Sequence, residues 1–289
     1  MALKTNQMRI VRSPWAYLSA FRIAMTVLCF VFLILPLLVI VPLSFNVEPY
    51  FTFTEGMLSL DPDAYSVRWY EVLFDNEEWG RALGNSLFIG VCATLLATTL
   101  GTLAAISLSN DKFPARRTVT ALLISPMVTP IIIVGVGSFF FYSHPSIGLA
   151  QTHLGIILTH TILGAPFVVI TVSATLAGFD QTYLKAAASL GAGAFTRFRR
   201  IQLPLIAPGV ITGGLFAFAA SFDELVVVLF MGGVEQRTIP RQMWSGIREE
   251  LNPTILAVAT LLILFAIVFL FVVEWLRGRS ARLGRLDAV

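Results

Sequence analysis

Charge is scarce in this sequence. Of its 289 residues, 13% are Asp, Glu, Lys or Arg, against about a quarter in a soluble domain of ordinary composition. Together with 56% hydrophobic residues and a mean hydropathy of +0.81, the shortfall excludes a soluble globular protein. Cysteine is scarcer still. Cys29 and Cys92 both lie in apolar runs, which excludes a disulfide framework and leaves the redox compartment open. The three histidines, His144, His153 and His160, stand beside no Cys or carboxylate at metal-ligand spacing, so no metal site is expected. There is no GxxxxGKS/T segment, so the chain itself hydrolyses no ATP. No nucleophile–base constellation is visible, and no catalytic residue is expected. A net charge of +3 is not the footprint of a nucleic-acid binder.

Apolar length is what the sequence has in abundance. A hydrocarbon core of about 30 Å needs about 20 apolar helical residues, and six windows qualify: 23–45, 84–108, 118–142, 154–177, 206–231 and 253–275. Backbone polar groups must be satisfied internally in lipid, so each window predicts a helix and the chain an all-α membrane protein. Pro36 and Pro42 in the first window, Pro126 and Pro130 in the third and Pro166 in the fourth read as bent packing, with a hinge as the alternative. The first window is too long for a signal-peptide core and has no small-residue cleavage pattern after it, so it reads as a retained span.

Six spans put both termini on one side, and Lys plus Arg decide which. Lys4, Arg9, Arg12 and Arg22 lie in the N-terminal tail, 1–22. Lys112, Arg116 and Arg117 follow the second span. Lys185, Arg197, Arg199 and Arg200 follow the fourth, and Arg277, Arg279, Arg282 and Arg285 lie in the tail 276–289. Only Arg68, Arg81, Arg237, Arg241 and Arg248 fall on the other side, where the first loop is acidic from Glu48 to Glu78. Both termini are therefore expected in the cytoplasm. In the outer loops, Val67, Tyr70, Leu73 and Phe74 predict an amphipathic helix within 64–80, and 236–251 carries a similar short-helix pattern.

Between the fourth and fifth windows stands GFDQTYLKAAASLGAGAFTRFRRIQLPLIAPG, 178–209. Residues 181–190 favour a helix that Asp180 can cap. Tyr183, Ala187 and Leu190 share a face. Gly191 and Gly193 predict a sharp turn. Phe195, Phe198 and Ile201 continue on a second short segment, and Pro204 with Pro208 restarts the chain into the fifth span. Small side chains beside a basic flank suit either insertion into a partner's groove or an interfacial helix on lipid headgroups.

The same stretch resembles the cytoplasmic EAA loop of permease subunits of binding-protein-dependent ABC importers. Ala186, Ala187, Gly191, Ile201, Leu203 and Pro204 stand at that pattern's spacing, while Lys185 replaces its glutamate. The resemblance spans residues 20–275. It implies a type I ABC importer permease fold and a coupling helix between spans 4 and 5. Tyr183, Lys185, Ala186, Ala187, Leu190, Gly191, Ala192, Phe195, Leu203 and Pro204 would meet the ATPase. It further implies two ATP-binding subunits that hold ATP and Mg, this chain holding no cofactor. A second, homologous permease subunit, a periplasmic solute-binding protein and a place in the bacterial inner membrane complete the implied assembly. SFDELVVVLFMGG (221–233), RTIPRQMWSGIREELNPTILAVATLLI (237–263) and VRWYEVLFDNEEWGRALGNSL (67–87) resemble the spermidine/putrescine branch. That implies a small cationic solute, a polyamine, moving from periplasm to cytoplasm.

Asp223 and Glu224 are acidic residues inside the fifth window. A carboxylate at the centre of a span costs roughly 2.5–3.5 kcal/mol on insertion scales and is a functional candidate by default. With Ser221 and Phe222 they form the candidate substrate pathway. Neighbours on a helix diverge by about 100°, so one cavity cannot receive both acids equally, and Asp223 is the first choice. Pairing with Arg241 or with a neighbouring subunit is the structural alternative. Phe216, Phe218 and Phe222 could stack on a methylene chain or a cation, or simply pack. An ion-coupled secondary transporter using Asp223 or Glu224 is the alternative function. It calls for inverted repeats, and none is evident between 1–140 and 150–289.

Overall fold

A computed structural model of the chain describes residues 14–110, 112–249 and 252–286. The long helix α1 (Pro14–Leu43) leads into a segment holding α2 (Glu55–Leu58), a 3-10 turn at Pro62–Ala64 and α3 (Arg68–Asp75). Then come α4 (Glu77–Leu108), α5 (Arg116–Val128), α6 (Ile131–Tyr142) and α7 (His153–Ala177). The helices α8 (Thr182–Ser189), α9 (Ala194–Arg197), α10 (Leu203–Phe222), α11 (Val226–Met231), α12 (Ile239–Glu249) and α13 (Thr254–Leu286) complete the chain.

Local chemistry sets several helix starts. Asn76 accepts from the Glu78 N–H at 2.8 Å and is followed by two glutamates in the first turn of α4, a side-chain cap plus charge that favours the helix dipole. Thr152 does the same for α7, accepting from the Gly155 N–H at 3.1 Å.

The centre is a bundle of α4, α7 and α10, whose contact rows are built from small residues. Ala97 and Ala105 of α4, Val168 and Val172 of α7, and Ile206 and Ala217 of α10 form one buried cluster. Val168 sits where the three meet. A Cβ added at Gly101 of α4 would stand 2.8 Å from Val168 Cβ, and one at Gly213 of α10 2.8 Å from Val168 Cα. Lipid tails are as apolar as the helix faces, so association rests on this close approach rather than on hydrophobicity. By contrast α1 lies against α13 and leaves most of its apolar surface open.

Two of the six windows are broken. The window 118–142 is the pair α5 and α6, bent by 103°. The bend falls at Thr129, which is extended (ψ 133°) ahead of Pro130, as a residue preceding proline prefers. The window 206–231 breaks without proline at Asp223–Leu225, and α11 then packs on α6. The restart expected at Pro204 and Pro208 does not occur. One helix runs from Ala194 to Phe222, passing through a π turn at Phe198–Gln202. There the Leu203 N–H reaches the Phe198 carbonyl, so the ladder shifts by one residue just before Pro204, the residue with no N–H to give.

Outside the bundle, the expected stripe Val67–Tyr70–Leu73–Phe74 is out of phase. Trp69 and Leu73 are buried, whereas Val67 and Phe74 are exposed. Trp69 decides the phase: its Nε1–H donates to the Asn46 carbonyl at 2.7 Å. Buried Asn46 in turn donates to the carbonyls of Tyr50 and Thr52 and accepts from the Glu48 N–H, knotting the segment after α1. At the far end, α13 continues as helix to Leu286, beyond the expected boundary at 275.

Candidate functional site

The loop between α7 and α9 is built by its glycines. Gly191 adopts φ +81°, a region open to glycine at no steric cost. With it α8 ends in a paired cap, Gly191 N–H to Ala188 O and Ala192 N–H to Ala187 O, both at 3.0 Å. Asp180 holds the other end through the Thr182 N–H at 2.8 Å, and hydrogen bonding from the Thr182 side chain, then from that N–H, lowers the pKa of its carboxyl. The hydrophobic side chains around this turn point away from the protein. Leu190 is 89% exposed, Phe195 71% and Tyr183 57%. Lys185, Ala186 and Pro204 are exposed as well, with Ala187, Ala192 and Leu203 half-buried. The ten residues singled out in the sequence thus share one protruding loop and the helix leaving it.

The four pathway candidates separate. Ser221 is buried and hydrogen-bonded to His160 Nδ1 at 2.7 Å. Phe222 stacks with Phe218 at 5.6 Å and with Phe265 at 4.9 Å. Phe269 extends this packed group, whereas Phe216 turns to Phe167. Glu224 is 8% exposed, and its Oε1 accepts from the Val227 N–H at 2.9 Å, capping the first turn of α11. Asp223 alone is exposed, at the end of α10. The alternative pairing with Arg241 is absent. Arg241 donates instead to the carbonyls of Val228 at 3.2 Å and Gly233 at 2.8 Å, at the other end of α11. A short helix inside the bundle is therefore held by a carboxylate at its N-terminus and a guanidinium at its C-terminus, the arrangement its dipole favours.

Sequence reasoning did not anticipate the roles of His160, Arg241, Asn85 and Ser86. Asn85 Nδ2 donates to the carbonyls of Glu235 and Arg237 at 2.7 and 2.8 Å, and its Oδ1 lies 3.0 Å from His153 Nε2. Ser86 Oγ accepts from the Ile239 N–H at 2.9 Å. His160 carried a signal as an ionisable residue within a span, and Arg241 entered the sequence reading only as an alternative partner for Asp223. The others become legible only once α4 meets the segment after α11.

The geometry is that of closely packed apolar helices, two of the six windows broken, with an exposed loop at the foot of one. The chain belongs to the family described as binding-protein-dependent transport system inner membrane component, whose sequence model matches residues 97–282. It is 32% identical to the putrescine transport system permease protein PotI of Escherichia coli over 283 residues, covering 96% of this chain and 95% of that one. It is likewise 32% identical to the spermidine/putrescine permease PotC of Haemophilus influenzae over 238 residues, 82% of this chain and 89% of that one. Among solved structures it resembles a bacterial ABC transporter that imports the acidic polysaccharide alginate, with TM-score 0.69, 16% identity, and coverage of 95% of this chain and 99% of that one. The MetNI methionine transporter also matches, with TM-score 0.53, 16% identity, and 81% and 99% coverage. The fold is that of a type I ABC importer permease.

Proposed function

We propose that the chain is one of a pair of permease subunits through which an ABC importer brings a polyamine from periplasm to cytoplasm. The observation that carries this reading is full-length similarity: the match to a permease named for putrescine spans 96% of the chain. The fold does not choose the cargo, since its structural relatives import an acidic polysaccharide or methionine. A cationic cargo agrees with Asp223, the one pathway acid left exposed.

In this reading the 178–203 loop and both termini face the cytoplasm, as the Lys and Arg distribution favours. Two ATPase subunits bind ATP and Mg below, a homologous permease lies alongside, and a solute-binding protein docks above. Leu190, Phe195 and Tyr183 enter a groove on the ATPase. The helix they lead into is continuous for 29 residues, about 43 Å at 1.5 Å per residue, and it ends at Asp223. The docking loop and the exposed acid are thus opposite ends of one rod. Movement imposed on the loop by ATP-driven closure reaches the break beside α11 along one helix, through the π turn at Phe198–Gln202.

The test is to tag the chain in its native membrane, solubilise it gently and identify what co-purifies, with and without Gly191→Asp. An ATPase and a second permease should accompany the parent chain and be lost from the variant, whose φ of +81° no longer suits the residue. Labelled putrescine uptake should fall about tenfold or more in Asp223→Asn, the worth of one charge-assisted contact. Recovery of the chain alone, with uptake intact, would overturn the reading.

A further inference from the structure

A cleft of about 1170 Å³ opens where the ends of α4 and α7 meet the start of α5 and the flank of α8. Lys112, Arg116 and Arg117 stand along one side of it, Leu176 and Leu184 contribute apolar wall, and Gln202 of the π turn lines it as well. Among the described residues its lining holds no carboxylate. The nearby Asp180 is turned to the Thr182 N–H. The side chains of Lys112 and Arg117 have no hydrogen bond or ion pair among the described residues. Arg116 and Arg117 also open α5, a helix with no acidic residue in its first turn and no side-chain cap from Ala115, an arrangement its dipole disfavours.

We propose that this cleft binds the phosphate headgroup of an anionic phospholipid from the cytoplasmic leaflet. Three features favour that occupant. The cleft joins the ends of three span helices, which is headgroup depth. Its volume exceeds the roughly 300–1,000 Å³ of a small-molecule pocket, more than a lone phosphate fills. It pairs cations with an apolar wall, as an amphiphile requires, and basic pockets between spans on the cytoplasmic side suit anionic headgroups. A lipid seated there would touch α8 and the π turn together, bracing the docking loop against α5. The inference rests on the cytoplasmic placement of the 109–117 and 178–203 loops proposed above.

The test purifies the full-length chain with its accompanying subunits in mild detergent and follows lipid binding by native mass spectrometry. Dioleoylphosphatidylglycerol should bind where dioleoylphosphatidylcholine does not. Lys112→Gln with Arg117→Gln should weaken that binding about 10–30-fold, at roughly one surface cation's worth each. The charge-preserving pair Lys112→Arg with Arg117→Lys should retain it, which separates loss of charge from misfolding. Equal phosphatidylglycerol on parent and Gln variant would overturn the proposal. So would displacement of the lipid by inorganic phosphate, which would make the ligand a free anion. Loss of a protein subunit from the Gln variant with lipid binding unchanged would identify a protein-docking surface instead. Orientation is read separately, from labelling of Ala115→Cys by an impermeant maleimide after Cys29→Ser and Cys92→Ser. Labelling in inverted vesicles alone supports the cytoplasmic placement. Labelling from outside intact cells refutes it whatever the lipid titration shows.

Discussion

The two loops that flank α10 and α11 differ in where their side chains find partners. The outer one in the proposed orientation, from Gly232 to the start of α12, closes on the protein itself. Arg81 meets Glu235 at 3.2 Å, Asn85 holds two of its carbonyls, Ser86 holds the Ile239 N–H, and Gln242 donates to Glu78 at 3.0 Å. The inner one is shaped as firmly, by the Gly191 turn and the Asp180 bond, yet it turns its large apolar groups outward. A loop tied by this many side-chain bonds to the rest of the chain is part of the scaffold. One that is rigid and apolar on its outside is preformed for something else, because exposing Leu190 and Phe195 to water gives the isolated chain nothing.

The comparison breaks most sharply if the loops are altered in turn. Leu190→Asp with Phe195→Asp places charge where an apolar pocket is expected, and central anchors of this kind each contribute about 2 kcal/mol or more. Co-purification of the ATPase should weaken about 30-fold or more, with the melting temperature of the chain unchanged, because neither side chain is buried. Asn85→Ala should do the reverse. It strips two carbonyls and His153 of their partner, at about 1–3 kcal/mol for groups left unsatisfied. The melting temperature should fall while the ATPase still co-purifies. Thermal melting and pull-down on both variants check the pair; a Leu190/Phe195 variant that melts early would make the inner loop scaffold too.

Much of this architecture was legible from apolar length alone, since each of the six windows contains helix. The prolines marked the third window as bent, but neither the size of that bend nor the break at Asp223 was legible. Four prolines met three outcomes: Pro126 and Pro208 lie inside α5 and α10, Pro130 follows a 103° bend, and Pro204 follows a π turn without a break. Which occurs depends on what satisfies the freed carbonyl, a tertiary matter that local sequence does not record. The break at Asp223 has no proline at all. It depends on Glu224 capping α11 and on α6 receiving it, contacts between residues far apart in sequence. The turn after α8 was legible because Gly191 follows a run of helix formers and takes the positive φ that ends it. The phase of α3 was not, because the distant carbonyl of Asn46 fixes Trp69.

The adjacent acids sharpen the comparison within a single turn. Glu224 belongs to the scaffold and Asp223 to the open side. Glu224→Ala should lower stability by about 1 kcal/mol, as for loss of an N-cap, and Glu224→Gln by less, since an amide oxygen can still accept from Val227. Asp223→Asn should leave stability unchanged and reduce uptake. Melting curves beside uptake assays separate the two, and equal destabilisation by both would show that the acids form one unit.

The smallest effect is expected where the outer loop meets water. Arg81 and Glu235 are joined at 3.2 Å, but their side chains remain 46% and 69% exposed. Exposed pairs contribute about 0.2–1 kcal/mol, and salt reduces even that as the screening length contracts from about 10 Å at 0.1 M to about 3 Å at 1 M. Arg81→Gln should therefore shift the melting temperature slightly at low salt and not at all in 1 M salt, whereas the Asn85→Ala deficit should persist at both. The Asn85 bonds are between an amide and carbonyls and carry no net charge to screen. A salt-insensitive loss in Arg81→Gln would mean that Arg81 holds the loop by packing its stem rather than by its charge.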